Sequence, residues 1–101
     1  MFTKVSFSTQ VYTTTHAPSA NGTYSFTCGF KPSFVYYGQD YNSSSTGQQM
    51  VKRNDLAGTY YCNSFRSDGL VNTITITDSG FTVSLSNGNW FTKPVTIIAI
   101  P

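Results

Sequence analysis

From Leu70 to Ile100 the chain alternates between apolar and small polar residues. Leu70, Ile74 and Ile76 interleave with Val71, Thr73, Thr75 and Thr77. After a break at Asp78-Ser79-Gly80, Phe81, Val83 and Leu85 interleave with Thr82, Ser84 and Ser86. Period-two alternation of β-branched and aromatic residues between turn residues predicts strands. Pro94 then leads into a third apolar run, Val95 to Ile100.

The same pattern extends towards the N-terminus. Val5, Phe7, Val11 and Tyr12 lie in a Thr/Ser-rich opening, Phe2 to Thr15, that predicts one long bent strand or two short ones. His16 to Gly22 contains Pro18 and Asn21-Gly22 and predicts a loop, with His16 solvated in it. Tyr24, Phe26, Cys28 and Phe30 alternate with polar residues, a half-buried strand that Gly29 and Pro32 end, since proline donates no ladder hydrogen bond. Phe34-Val35-Tyr36-Tyr37 is apolar or aromatic on both faces, as in a strand covered by the core on one side and a neighbour on the other. Met50 to Arg53 and Thr59 to Phe65 add two more strands, separated by a turn at Asn54 to Gly58. Asn87-Gly88 is the strongest hairpin signal, because both positions tolerate positive φ, and Pro94 limits how far that hairpin pairs. About eight strands at turn spacings of roughly 8–12 residues predict an all-β fold, a small antiparallel β-sandwich without substantial helix. A chain of 101 residues with no linker or repeat predicts one domain over 1–101.

Composition narrows the function classes. Charged residues are only 10% of the chain and aromatics 16%, and glutamate is absent. The surface is therefore rich in hydroxyls and amides, suited to packing beside copies of itself or to neutral polar ligands such as sugars. The net charge of +2 is scattered, with Lys52-Arg53 the one local pair. Nucleic-acid binding calls for a basic stripe that releases counterions, so a nucleic-acid partner is not expected. No stretch approaches the ~20 apolar residues of a membrane span, and no signal-peptide core follows Met1. A whole gene product of this kind is expected to be made in a cytosol and to stay there or leave inside an assembly.

Catalytic chemistry finds no constellation. The four acids, Asp40, Asp55, Asp68 and Asp78, all fall in turns, where Asp bonds its own backbone. Glycoside hydrolysis needs two carboxylates facing across a cleft. One His and two distant Cys offer no metal-ligand spacing, so neither metal nor cofactor is expected. Cys28 and Cys62 form either one disulfide or two buried thiols, and the lack of any export signal favours thiols. The run Leu56 to Cys62 has an immunoglobulin-like ending, but its Asp and Trp spacings do not fit that fold.

Two stretches are candidate ligand sites. Tyr36, Tyr37, Asp40, Tyr41 and Asn42 combine aromatic faces for stacking on a sugar ring with groups that orient hydroxyls, in or beside a loop. Asn89 and Trp90, with Asn87, follow a tight turn. There Trp90 serves as an exposed platform, a core anchor or an interface residue, and the enrichment of Trp at interfaces favours the last.

The stretches Gly29-Phe30-Lys31-Pro32-Ser33-Phe34-Val35, Ile74 to Val83 and Val95 to Ile100 together resemble small virion-tip domains in tail fibres and related structural proteins of tailed bacteriophages. The arrangement, over roughly residues 22–100, is also similar to H-type lectins, where an x-Pro-x-Val strand, a Gly-Phe-Thr-Val strand and a final apolar strand build a sandwich that trimerises. Ile98 stands where those lectins commonly carry Trp, and no sugar-binding residue carries over. The resemblance implies a homotrimer on a phage particle (tail-fibre tip, head fibre or capsid decoration), made in the host cytoplasm, meeting other virion proteins and a cell-surface glycan. The alternative it allows is a free-standing lectin-like carbohydrate-binding protein.

The final strand supports assembly on physical grounds alone. If Val95, Ile97 and Ala99 face the core, Ile98 and Ile100 face away from it. A strand apolar on both faces leaves a sticky surface unless another chain covers it. Ile98 and Ile100, with Tyr37, are therefore expected between protomers.

Overall fold

The computed structural model describes residues 10–18, 20–39, 49–61, 72–86 and 94–101. They form β1 (Tyr12–His16), β2 (Gly22–Thr27), β3 (Phe34–Gly38), β4 (Gln49–Arg53), β5 (Thr59–Tyr61), β6 (Asn72–Ile76), β7 (Gly80–Leu85) and β8 (Val95–Ile100). A five-stranded sheet has the order β1-β8-β3-β4-β5 and a three-stranded sheet the order β2-β7-β6. Every neighbouring pair is antiparallel. The fold is thus all-β, two antiparallel sheets, as the alternation predicts, with no helix among the described residues.

The core lies between the sheets. Val35, Tyr37, Met50, Val95, Ile97 and Ala99 point inward from the large sheet, and Ile74, Phe81, Val83 and Leu85 from the small one. Each fully buried large apolar side chain here contributes about 1.5–3 kcal/mol. Phe26 and Phe81 stack with ring centroids 5.1 Å apart, and Tyr12 meets Phe81 edge-on at 6.3 Å.

One polar contact and one aromatic cluster fasten the sheet edges to one another. The buried Thr59 hydroxyl of β5 accepts from the Ile74 backbone N–H at 2.9 Å and donates to the Ile74 carbonyl at 3.3 Å. At the opposite corner, His16 of β1 packs against Tyr24 and Phe26 of β2. Buried Asn72 accepts from the Ser86 backbone N–H at 3.0 Å through its side-chain oxygen.

The β6–β7 turn, closed by a Thr77 N–H to Gly80 carbonyl bond of 2.9 Å, also ends β2. The Ser79 carbonyl accepts from both Cys28 and Gly29 N–H, at 2.9 and 3.1 Å. Gly29 has a φ of +84° there, so the strand expected to run to Phe30 stops at Thr27. Gly80 is needed for the close approach of β2, since a Cβ on it would lie 1.9 Å from the Phe26 carbonyl oxygen.

One expectation is corrected, and two others reach beyond the described residues. His16 is not a solvated loop residue but the last residue of β1, half-buried, because its aromatic partners arrive from β2 and β3. Asn87-Gly88 lies outside the described residues; β7 and β8, the strands on either side of it, belong to different sheets. Leu85 of β7 pairs Gly22 on one side and Asn72 on the other. Of the opening Phe2 to Thr15, β1 begins only at Tyr12, and the first nine residues lie outside the described ones.

Candidate binding face

β8 sits inside the large sheet, between β1 and β3. Its alternation is complete: Val95, Ile97 and Ala99 are buried, and Ile98 and Ile100 project from the outer face. Strand pairing aligns their neighbours into rows. Thr13, Ile98, Tyr36, Val51 and Tyr60 form one row across all five strands. Ile100, Phe34 and Arg53 form the next, and Thr15, Thr96, Gly38 and Gln49 the row on the other side.

Among the described residues, the exposed apolar surface gathers on or beside this outer face. The large hydrophobic side chains exposed among the described residues are Val11 (56%), Leu56 (38%), Ile98 (36%) and Ile100 (38%). Ile98 and Ile100 lie on the face, Val11 shares the parity of Thr13, and Leu56 lines a hollow with Val51 and Tyr60. By contrast, the outer face of the small sheet carries only small residues: Thr23, Ser25, Thr27, Thr73, Thr75, Gly80, Thr82 and Ser84. The Thr23 and Ser84 hydroxyls share a hydrogen bond of 3.0 Å there. Among the described residues, one outer side of the sandwich is lined by small polar side chains and the other carries exposed apolar ones.

Tyr36 flattens the face. A Cβ at Gly38 would come within 2.6 Å of the Tyr36 hydroxyl and 2.7 Å of its ring carbon Cζ. The ring therefore lies along the strand over Gly38, filling the space left by the missing side chain.

Two hollows flank Arg53. One, of about 420 Å³, is lined by Ser33, Phe34, Arg53, Asn54, Asp55 and Ile100. The other, of about 390 Å³, is lined by Val51, Arg53, Leu56 and Tyr60. The Arg53 guanidinium donates to both Asp55 carboxylate oxygens, at 3.0 and 2.6 Å. Those bonds hold the Asp55 carboxyl below its ordinary range. The ridge between the hollows is thus an ion pair closed on itself. Lys52 donates through its ammonium to the Leu56 carbonyl and ties down the β4–β5 turn.

The structure separates the residues expected to act together. Tyr36 lies on the outer face, but Tyr37 is fully buried on the inner one, with its hydroxyl 2.9 Å from His16 Nδ1. It faces neither a ligand nor another protomer, because consecutive strand residues point to opposite sides. Asp40, Tyr41, Asn42, Asn89 and Trp90 lie outside the described residues. Cys28 is a free, half-buried thiol, and burial raises its pKa. Ile98 and Ile100 are exposed together on one face, as the alternation of their strand predicts. Val11, Phe34, Val51, Leu56 and Tyr60 join them only once the strand order is known. The sequence signal for them was the parity of Phe34 with Tyr36 and of Val51 with Arg53.

Comparison with known proteins finds no matching protein family, no matching curated protein and no matching solved structure.

Proposed function

We propose that this chain is a structural module of a bacteriophage particle (a tail-fibre tip, head fibre or capsid decoration domain) that works by binding rather than catalysis. In this reading the outer face of the five-stranded sheet is covered by further copies of the chain and by neighbouring virion proteins. The observation that carries it is the gathering of Val11, Leu56, Ile98 and Ile100 on or beside one face, opposite a face of threonines and serines. Contiguous apolar surface of this kind marks an interaction site. The low charge of the chain suits dense packing among neutral neighbours. The phage context rests on the likeness of the Gly29–Val35, Ile74–Val83 and Val95–Ile100 stretches to virion-tip domains.

Two measurements test the reading. Particles purified from the source of the sequence are labelled with an antibody to the chain; regular decoration is expected, and its absence removes the phage assignment. Sedimentation of the purified chain across the micromolar range is expected to show self-association that Ile98→Lys abolishes. A wild-type chain that stays a monomer removes the homotypic part.

A further inference from the structure

We infer that the hollow beside Asp55, at the end of the five-stranded sheet, is a binding site for a neutral pyranose sugar. It lies apart from the two stretches that the sequence singles out for ligands. The inference goes beyond the assembly reading and does not need it, because a single chain supplies every lining group.

Phe34 is the centre of the floor. Strand pairing sets Ile100 on one side of it and Arg53 on the other, all three directed to the outer face. Phe34 is half-buried, so part of it meets solvent. The rim comes from segments that leave the sheet together: Ser33 before β3, Asn54 and Asp55 after β4, and Pro101 after β8. Hydrogen bonds stitch these segments to one another. The Asn54 N–H donates to the Ser33 carbonyl at 2.9 Å, and the Ser33 N–H to the Ile100 carbonyl at 2.8 Å. The Ser33 hydroxyl donates to the Pro101 carbonyl at 2.8 Å. The walls are thus held before a ligand arrives, which lowers the cost of binding. The volume of about 420 Å³ falls within the range usual for small-ligand sites.

The polar groups select the ligand. Arg53 and Asp55 cancel in charge but not in hydrogen bonding. A guanidinium has five N–H donors, and two are spent on Asp55, which leaves three. The carboxylate keeps free lone pairs as well. The Asn54 side-chain amide has no partner among the described residues. Donors and acceptors therefore stand side by side at no net charge. An anion would meet the Asp55 carboxylate, and a cation the Arg53 guanidinium. A hydroxyl both donates and accepts, so a row of hydroxyls satisfies both kinds of group at once. A pyranose carries such a row at its edge and a C–H face that packs on an aromatic floor. The companion hollow of Val51, Leu56 and Tyr60 shares Arg53 but has neither the carboxylate nor the amide.

The test is a titration of the isotope-labelled chain followed by NMR. Methyl galactoside, methyl glucoside and N-acetylglucosamine are the probes; acetate, phosphate and cyclohexanol are the counter-probes. At the efficiency of small ligands, the ~12 non-hydrogen atoms of a hexose give a Kd in the millimolar range. At least one sugar is expected to shift the Phe34, Arg53, Asn54 and Asp55 amides saturably, and Leu56 and Tyr60 less. Asn54 and Asp55 lie in an exposed turn, so Asn54→Ala and Asp55→Asn are expected to keep the fold. Both are expected to weaken the sugar, Asp55→Asn about tenfold. Asp55→Asn is also expected to admit acetate, since it leaves Arg53 without its counter-charge. Ile98→Lys is titrated beside the wild type, so that association of copies cannot hide the hollow. Four results overturn the inference: acetate or phosphate binding the wild type in place of sugar, cyclohexanol binding as well as any sugar, sugar shifts centred elsewhere, or no saturable shift in wild type or Ile98→Lys. None of them touches the assembly reading, which sedimentation decides. A monomeric chain that binds sugar at this hollow keeps the inference and removes the homotypic part of that reading.

Discussion

His16 and Tyr37 share a hydrogen bond of 2.9 Å between the imidazole Nδ1 and the phenol hydroxyl, at the corner where β1 meets β2. Tyr37 is fully buried, and burial followed by the nearby Tyr24 raises its pKa strongly, so it stays a neutral phenol. The His16 ring lies edge-on to Tyr24 and Phe26, at centroid distances of 4.5 and 5.3 Å. Burial there lowers the His16 pKa from its ordinary 6.5.

Acid therefore loosens this corner. Below pH 6.5 the unfolded chain takes up a proton on His16 more readily than the folded chain does. The stability associated with neutral His16 is complete above that pH and is lost as the pH falls through the lower folded value. Urea unfolding from pH 8 to pH 5, compared between wild type and His16→Asn, checks this. The wild type is expected to lose more stability on acidification, and parallel curves would contradict the prediction.

The Thr59 hydroxyl satisfies both backbone groups of Ile74 across the gap between the sheets. Thr59→Val keeps the shape but strands a buried N–H, at a cost of about 1–3 kcal/mol. Thr59→Ser keeps the hydroxyl and is expected to lose clearly less. Denaturant midpoints for the two variants separate hydroxyl from methyl.

Gly80→Ala is expected to be among the most damaging single changes. The added carbon falls 1.9 Å from the Phe26 carbonyl oxygen, and backbone cannot yield as a flexible side chain does. The β2–β7 pairing must open, at about 3 kcal/mol or more. Gly38→Ala is the contrast, because its added carbon meets the far end of Tyr36. That ring can swing away, so folding is expected to survive while self-association weakens. Thermal unfolding and sedimentation of the two variants read these effects separately.

Much of this architecture was written locally. The alternation in Val95–Ile100 assigned Ile97 inward and Ile98 outward before any strand order was known, and Asp78-Ser79-Gly80 marked a true turn. What local pattern could not carry was partnership. β8 lies between β1 and β3, each pairing spanning about sixty residues or more of sequence, so no turn residue records it. Tyr36 and Tyr37 are chemically alike, and only the register decides which one faces the core. His16 sits next to Pro, Asn and Gly punctuation and reads as a loop until Tyr24, Phe26 and Tyr37 close around it. The outer face was half legible for the same reason: Ile98 and Ile100 lie two residues apart in one strand, whereas Phe34, Val51 and Tyr60 reach them only through the sheet.

Ile97 and Ile98 share a chemistry and are adjacent in sequence, so they isolate folding from assembly. Ile97 is fully buried between the sheets, opposite Tyr37 and Thr14 in the strand register. Ile97→Ala leaves a cavity in a close-packed core and is expected to cost about 2–5 kcal/mol. Ile98 is 36% exposed on the outer face. Ile98→Ala removes little that the isolated chain buries, and its folding cost is expected below ~1 kcal/mol. In the proposed assembly the same side chain would be covered, and its loss is expected to weaken association about tenfold, the equivalent of ~1.4 kcal/mol. Denaturation at low concentration and sedimentation across the micromolar range separate the two effects. If Ile98→Ala cost the isolated chain as much as Ile97→Ala, the outward side chain would belong to the fold, and the apolar face would need no partner to explain it.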